Sequence, residues 1–95
     1  MEYTAIEFSA HAVQRMFERR IDETVVVDVV RRGEVIAAYE EDQPYPSVLL
    51  LGMQEQMPVH VVAARQPESG IVRIITVYIP NTELWSSDYK TRNTP

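Results

Sequence analysis

Ninety-five residues with no cysteine, three glycines, six prolines and a net charge of −5 fit one domain, residues 1–95, with room for one core. An apolar share of 45% and a charged share of 24% exclude wholesale disorder, and the lack of cysteine excludes a disulfide scaffold, a thiol nucleophile and cysteine-based zinc or iron–sulfur sites. The longest apolar run, Val35 to Tyr39, is far short of the roughly 20 residues of a membrane helix. The opening MEYTAIEFSA has no basic-then-apolar leader pattern, so a cytoplasmic protein without membrane contact is expected.

Ser9 is a good N-cap, and AHAVQRMFERR after it predicts a first helix over about residues 9–20. At 100° per residue, Ala10, Ala12, Val13, Met16 and Phe17 share one arc, the expected core face. His11, Arg15 and Arg19 form a stripe along its border. Asp22 caps a second helix over about 22–32, whose valines 25, 26, 27, 29 and 30 make a wide apolar face. Arg31 and Arg32 suit the negative end of its dipole, and Gly33 is the expected C-cap.

Beyond Gly33 the period becomes two, and strands are predicted at about 34–39, 47–53, 59–65 and 71–79. The loop EEDQPYP joins the first pair and the turn QPESG the second. Pro58 and Pro80 bracket the second hairpin, where proline does least harm. A polar tail, 81–95, follows. The order predicts an α+β fold: two N-terminal helices packed on a four-stranded, mainly antiparallel sheet. The strands at 47–53 and 71–79 are apolar on both faces, and two helices cover one side only. The tail's Trp85 and Tyr89, or a second chain, are expected on the other side.

The net charge conceals a partition. Residues 11–32 carry Arg15, Arg19, Arg20, Arg31 and Arg32 against four acids, whereas residues 33–57 carry five acids and no base. A local basic face is therefore compatible with an acidic chain.

His11 and His60 are the only groups that ordinarily titrate near neutrality. If QPESG pairs Arg65 with Ile71, His60 falls opposite Thr76, with Tyr78 one step further on the same face. A histidine, a hydroxyl and a phenol on one face, beside the cations of the first helix, are the parts a phosphodiester-cleaving site needs: base, acid and stabilising charge. Each residue also has an ordinary structural reading. His60 between two valines suits a structural histidine, Thr76 and Tyr78 are good strand residues, and Arg15 and Arg19 suit i+3 or i+4 pairs with Glu18, Asp22 or Glu23. No zinc spacing, phosphate loop or cofactor fingerprint occurs, so neither metal nor cofactor is expected.

Several motifs agree in order and spacing with one small bacterial family: His11-Ala12-x-x-Arg15-Met16-x-x-Arg19-x-Ile21, Gly33-Glu34-Val35-Ile36, Tyr45-Pro46-Ser47, Leu50 to Gly52, Val59-His60-Val61-Val62, and Ile75-Thr76-Val77-Tyr78-x-Pro80 followed by Trp85. From His11 to Arg92 the chain resembles the domain of unknown function DUF4258, whose layout is similar to RelE-like and barnase-like ribonuclease toxins. The resemblance implies a metal-independent ribonuclease of a toxin–antitoxin pair, with an antitoxin protein and single-stranded RNA as partners. His11, His60 and Tyr78 would then be catalytic, and Arg15, Arg19 and Thr76 would hold the phosphate and RNA. The chain departs from such toxins in being acidic. The alternative reading is a non-enzymatic interaction module that uses an apolar sheet face to bind a partner or a second copy as a homodimer.

Overall fold

Five strands and two helices make up the computed structural model, which describes residues 1–93; Thr94 and Pro95, the end of the expected tail, lie outside the described residues. In chain order they are β1 (Ala5–Phe8), α1 (Ala10–Arg19), α2 (Glu23–Arg32), β2 (Glu34–Tyr39), β3 (Ser47–Gln54), β4 (Met57–Arg65) and β5 (Ile71–Tyr78). The sheet order is β1-β5-β4-β3-β2. The architecture is α+β as expected, but the sheet has five strands rather than four and is mixed. β1 pairs parallel to β5, Ala5 with Ile71 through Phe8 with Ile74. Its four residues are too short for a periodic signal, and its pairing partner lies some 66 residues away, so nothing local announces it. Pro58 sits inside β4, opposite Met53, rather than before the strand.

Ser9 joins α1 to the sheet. Its side chain accepts a hydrogen bond from the Ala12 backbone N–H at 3.0 Å, capping the helix, and its hydroxyl donates to the Ile75 carbonyl at 3.0 Å. Ile75 is the extra residue of a bulge, since Val62 pairs with Thr76 and Ala63 with Ile74. The strand irregularity thus leaves Ile75 outside the β4 ladder, beside the helix cap. Where β1 ends at Phe8, α1 takes over the free edge of β5.

α2 behaves as its valines require. Val26, Val29 and Val30 are buried, Val25 and Val27 half-buried. Val26, Val29 and Val30 join Leu50, Val59, Val61, Ala63, Val72, Ile74 and Val77 in a core on the helix-bearing face of the sheet, with Val25 packed against it. α2 lies close on β3, because a Cβ built on Gly52 would meet the Val29 side chain at 2.4 Å. Gly33 stands at the C-cap of α2 as expected but in extended backbone. There its lack of a side chain avoids the Val29 carbonyl, 2.4 Å from where a Cβ would be.

α1 departs from expectation. Of its predicted core arc, Ala12 is buried and Met16 half-buried, Val13 is 53% exposed and Phe17 86% exposed. The helix packs against the sheet at the β5 edge through its narrow Ala12 side, so three of the five residues of the expected arc, Ala10, Val13 and Phe17, are exposed.

Candidate functional site

The face of the sheet away from the helices carries the sequence-predicted histidine. Two one-residue changes set its partner. The turn at 66–70 pairs Arg65 with Val72 rather than with Ile71, and the bulge at Ile75 adds a second step. His60 is therefore opposite Tyr78, and Val62 opposite Thr76. Because the two steps add to an even number, Thr76 and Tyr78 still share a face with His60.

His60 is 0% exposed. Its Nε2 lies 2.8 Å from the Tyr89 carbonyl and its Nδ1 lies 3.1 Å from the Tyr78 hydroxyl. A carbonyl only accepts, so Nε2 carries the proton and donates it; in the neutral ring Nδ1 then accepts from the Tyr78 O–H. Trp85, itself buried, stands edge-on to the imidazole with ring centroids 4.5 Å apart, and Tyr78 does so at 5.2 Å. Burial pushes the imidazole pKa below its ordinary value, and the Tyr89 carbonyl offsets part of that shift. Burial also raises the Tyr78 phenol above its usual range, and the neighbouring Tyr39 adds to the rise while the Arg92 guanidinium opposes it. At neutral pH the pair is thus an uncharged imidazole and a protonated phenol.

The tail builds this enclosure. Trp85 forms an isolated bridge with Arg92, Asn93 donates its backbone N–H to Leu84 at 2.8 Å, and Lys90 reaches Glu34 at 3.0 Å. Ser86 and Asp88 brace the loop, and the Ser86 hydroxyl holds the Asp88 carboxyl below its usual pKa. Of the two aromatic residues expected over the second sheet face, Trp85 meets His60 with its ring, whereas Tyr89 meets it with its backbone carbonyl.

A second pair forms at the α1 edge of the same sheet. The exposed His11 has its Nε2 3.0 Å from Thr76 Oγ1. Thr76 and Tyr78 lie two positions apart along β5, roughly 6.6 Å, so the His11–Thr76 pair and the Tyr78–His60 pair are neighbours on one strand. The cations of the predicted stripe are used differently. Arg15 forms an exposed ion pair with Glu18 at 3.4 Å. Arg19, exposed at the far end of α1, borders a shallow depression with Arg20, Gln54, Glu55, Gln56, Met57 and Pro58. Among the described residues no hydrogen bond or ion pair joins Arg15 or Arg19 to His60, Thr76 or Tyr78. Neither do the described residues bring three acidic or histidine side chains together as a metal would need.

Sequence reasoning missed Tyr39 and Arg92 as electrostatic neighbours of Tyr78. Tyr39 ends a strand that the period-two pattern marks and Arg92 lies in the tail, and only the paths of β2 and of the tail bring them beside Tyr78. Among the described residues no helix is long and apolar enough to cross a membrane.

Comparison with curated proteins and with solved structures finds no match. The pattern of one family, a domain of unknown function, matches residues 8–79. That span begins at the last residue of β1 and ends one residue after β5, taking in His11, Arg15, Arg19, His60, Thr76 and Tyr78. The chain belongs to the DUF4258 family.

Proposed function

We propose that the chain is a metal-independent ribonuclease, acting in the bacterial cytoplasm as the RelE-like toxin of a toxin–antitoxin pair. The observation that carries this reading is the His11–Thr76 pair, 3.0 Å apart and open to solvent, on the strand that also presents Tyr78. A neutral imidazole there accepts the proton of an RNA 2′-hydroxyl. The 2′ oxygen forms its bond to phosphorus as the bond to the 5′ oxygen breaks. The departing 5′ oxygen takes the phenolic proton of Tyr78, whose O–H turns away from Nδ1 of His60 to deliver it, leaving a 2′,3′-cyclic phosphate; solvent then removes the proton from His11 and returns one to the phenolate. The phenol is protonated at neutral pH and so holds a proton to give, although its raised pKa makes it a weaker acid than a free tyrosine. Arg92 favours the phenolate formed in the step. Arg15 and Arg19 hold phosphates along the helix edge, and Thr76 orients His11.

In this reading His60 acts through Tyr78. Before the step its Nδ1 accepts the hydrogen bond of the phenol and fixes the position of the hydroxyl, while its own ring stays behind Trp85. The role differs from direct proton transfer by His60, because both ring nitrogens are occupied. An acidic chain with a small cationic edge binds RNA weakly outside the site, so cleavage falls on single-stranded segments that can enter it.

Induction in a bacterial host tests the reading. The wild type should arrest growth and fragment cellular RNA, and His11→Ala should do neither at equal soluble expression. Harmless expression of the soluble wild type would refute it.

One observation favours the alternative, a module that binds a partner without chemistry: Phe17 is 86% exposed and Val13, one turn away, 53% exposed. This apolar surface is on α1, whereas the sheet face first suspected is crossed by the tail. Growth arrest that survives His11→Ala and is lost in Phe17→Ser would select this alternative.

A further inference from the structure

β2 is an edge of the sheet: β3 pairs with one side, and among the described residues no strand pairs with the other. Edge strands are commonly blunted by lysine, proline or a bulge. Glu34–Tyr39 contains neither lysine nor proline and has only the bulge between Val35 and Ala37. Val35 is 53% exposed, and Tyr39 is also exposed.

The ends of this edge are oppositely charged. Arg31 and Arg32, both exposed, precede the strand, and Lys90 joins Glu34 at its first residue. Glu40, Glu41 and Asp42, all exposed, follow its last residue. Arg32 pairs with Asp28 at 3.4 Å on the surface. Arg31, Glu40 and Glu41 have no ion pair among the described residues. The charge therefore runs from basic to acidic along a strand of about 20 Å.

We propose that β2 pairs antiparallel with β2 of a second copy, joining two five-stranded sheets into one. A two-fold axis perpendicular to the sheet at Ile36, which then pairs with its own copy, sets the basic start of each strand beside the acidic end of the other, twice per dimer. In that register Glu34 faces Ala38 and Val35 faces Ala37, so no like charges are directly opposed. A parallel pairing would bring like ends together. The occupant is a second copy because the charge pattern is its own complement under the two-fold axis. The surface lies on the opposite edge of the sheet from β1 and β5, so the inference stands or falls apart from RNA cleavage.

Charge reversal tests it. Sedimentation velocity of the full chain in about 50 mM salt, where surface charges are weakly screened, should give a dimer at micromolar concentrations. Arg31→Glu with Arg32→Glu, and separately Glu40→Lys with Glu41→Lys, should each weaken dimerisation by tenfold or more, a change of about 1.4 kcal/mol or greater. Asp42 is left in place because its carboxylate accepts the Ser47 hydroxyl proton. An equimolar mixture of the two variants should dimerise again, since both ends are then complementary. Circular dichroism establishes that each variant is folded. A monomeric wild type up to about 1 mM would overturn the proposal, as would a dimer indifferent to both reversals or a mixture of folded variants that does not associate.

Discussion

Tyr78 donates its phenolic proton to Nδ1 of His60 across the β4–β5 ladder, 3.1 Å away, while Nε2–H of the same ring donates to the Tyr89 carbonyl at 2.8 Å. The imidazole is held neutral between strand and tail, and its burial lowers its pKa. The sign of the pH dependence follows. Below the unfolded value of 6.5 the unfolded chain takes up a proton that the folded chain resists, so the stabilisation is complete above that value. It is lost as pH falls from there through the lowered folded value. Thermal unfolding between about pH 8 and pH 5 should show a fall in Tm on acidification that is shallower in His60→Gln. Gln keeps a donor toward Tyr89 but does not titrate. The substitution itself should cost about 1–3 kcal/mol. Parallel pH profiles for the two proteins would contradict the assignment.

Trp85 is what seals the ring from water. Trp85→Ala should destabilise the fold by about 3–5 kcal/mol. If the variant remains folded, it should also bring the His60 pKa back toward 6.5, as read from its ring proton resonances in an NMR titration. An unchanged His60 titration in a folded Trp85→Ala protein would mean that the lowered pKa has another cause.

Gly52 sets how closely α2 approaches β3. Ala at this position drives a methyl group into Val29, and overpacking of this kind costs about 1–3 kcal/mol. Urea unfolding should show that loss, and Val29→Ala in the same chain should remove much of the clash, giving a non-additive double-mutant cycle. Strict additivity would place the cost elsewhere.

Phe17 contributes little to the fold, because nearly all of its ring is in solvent. Phe17→Ser should change unfolding free energy by no more than about 0.5 kcal/mol, whereas Ala12→Leu, at a fully buried position on the same helix, should cost about 1–3 kcal/mol. A large loss from Phe17→Ser would show that the ring is buried in solution.

Much of the architecture was legible where the chain repeats itself. The valines of α2 mark its buried side, Ser9 its neighbour's cap, and the alternation from Glu34 onward the four antiparallel strands. β1 was not legible, because a four-residue strand is fixed by a distant parallel partner rather than by its own pattern. The exposure of Phe17 was not legible either: amphipathic spacing identifies an apolar arc but not how much of it the sheet edge can receive. For the site, residue types and face were readable from the sequence. The His60–Tyr78 partnership was not, since it depends on a turn register and a bulge at Ile75 that each shift the ladder by one. The role of the tail was partly readable, because Trp85 and Tyr89 are its aromatic residues and an uncovered apolar face required a cover.

The most direct test of the proposed chemistry is cleavage of a fluorogenic single-stranded RNA oligonucleotide by the purified chain in excess EDTA, wild type against His11→Ala. The predicted result is cleavage by the wild type that leaves a 2′,3′-cyclic phosphate. His11→Ala should lose about 10²–10⁴-fold in kcat/KM with its fold intact, because Nε2 of His11 is the exposed imidazole nitrogen beside Thr76. No cleavage by the folded wild type, or equal cleavage by His11→Ala, would contradict it.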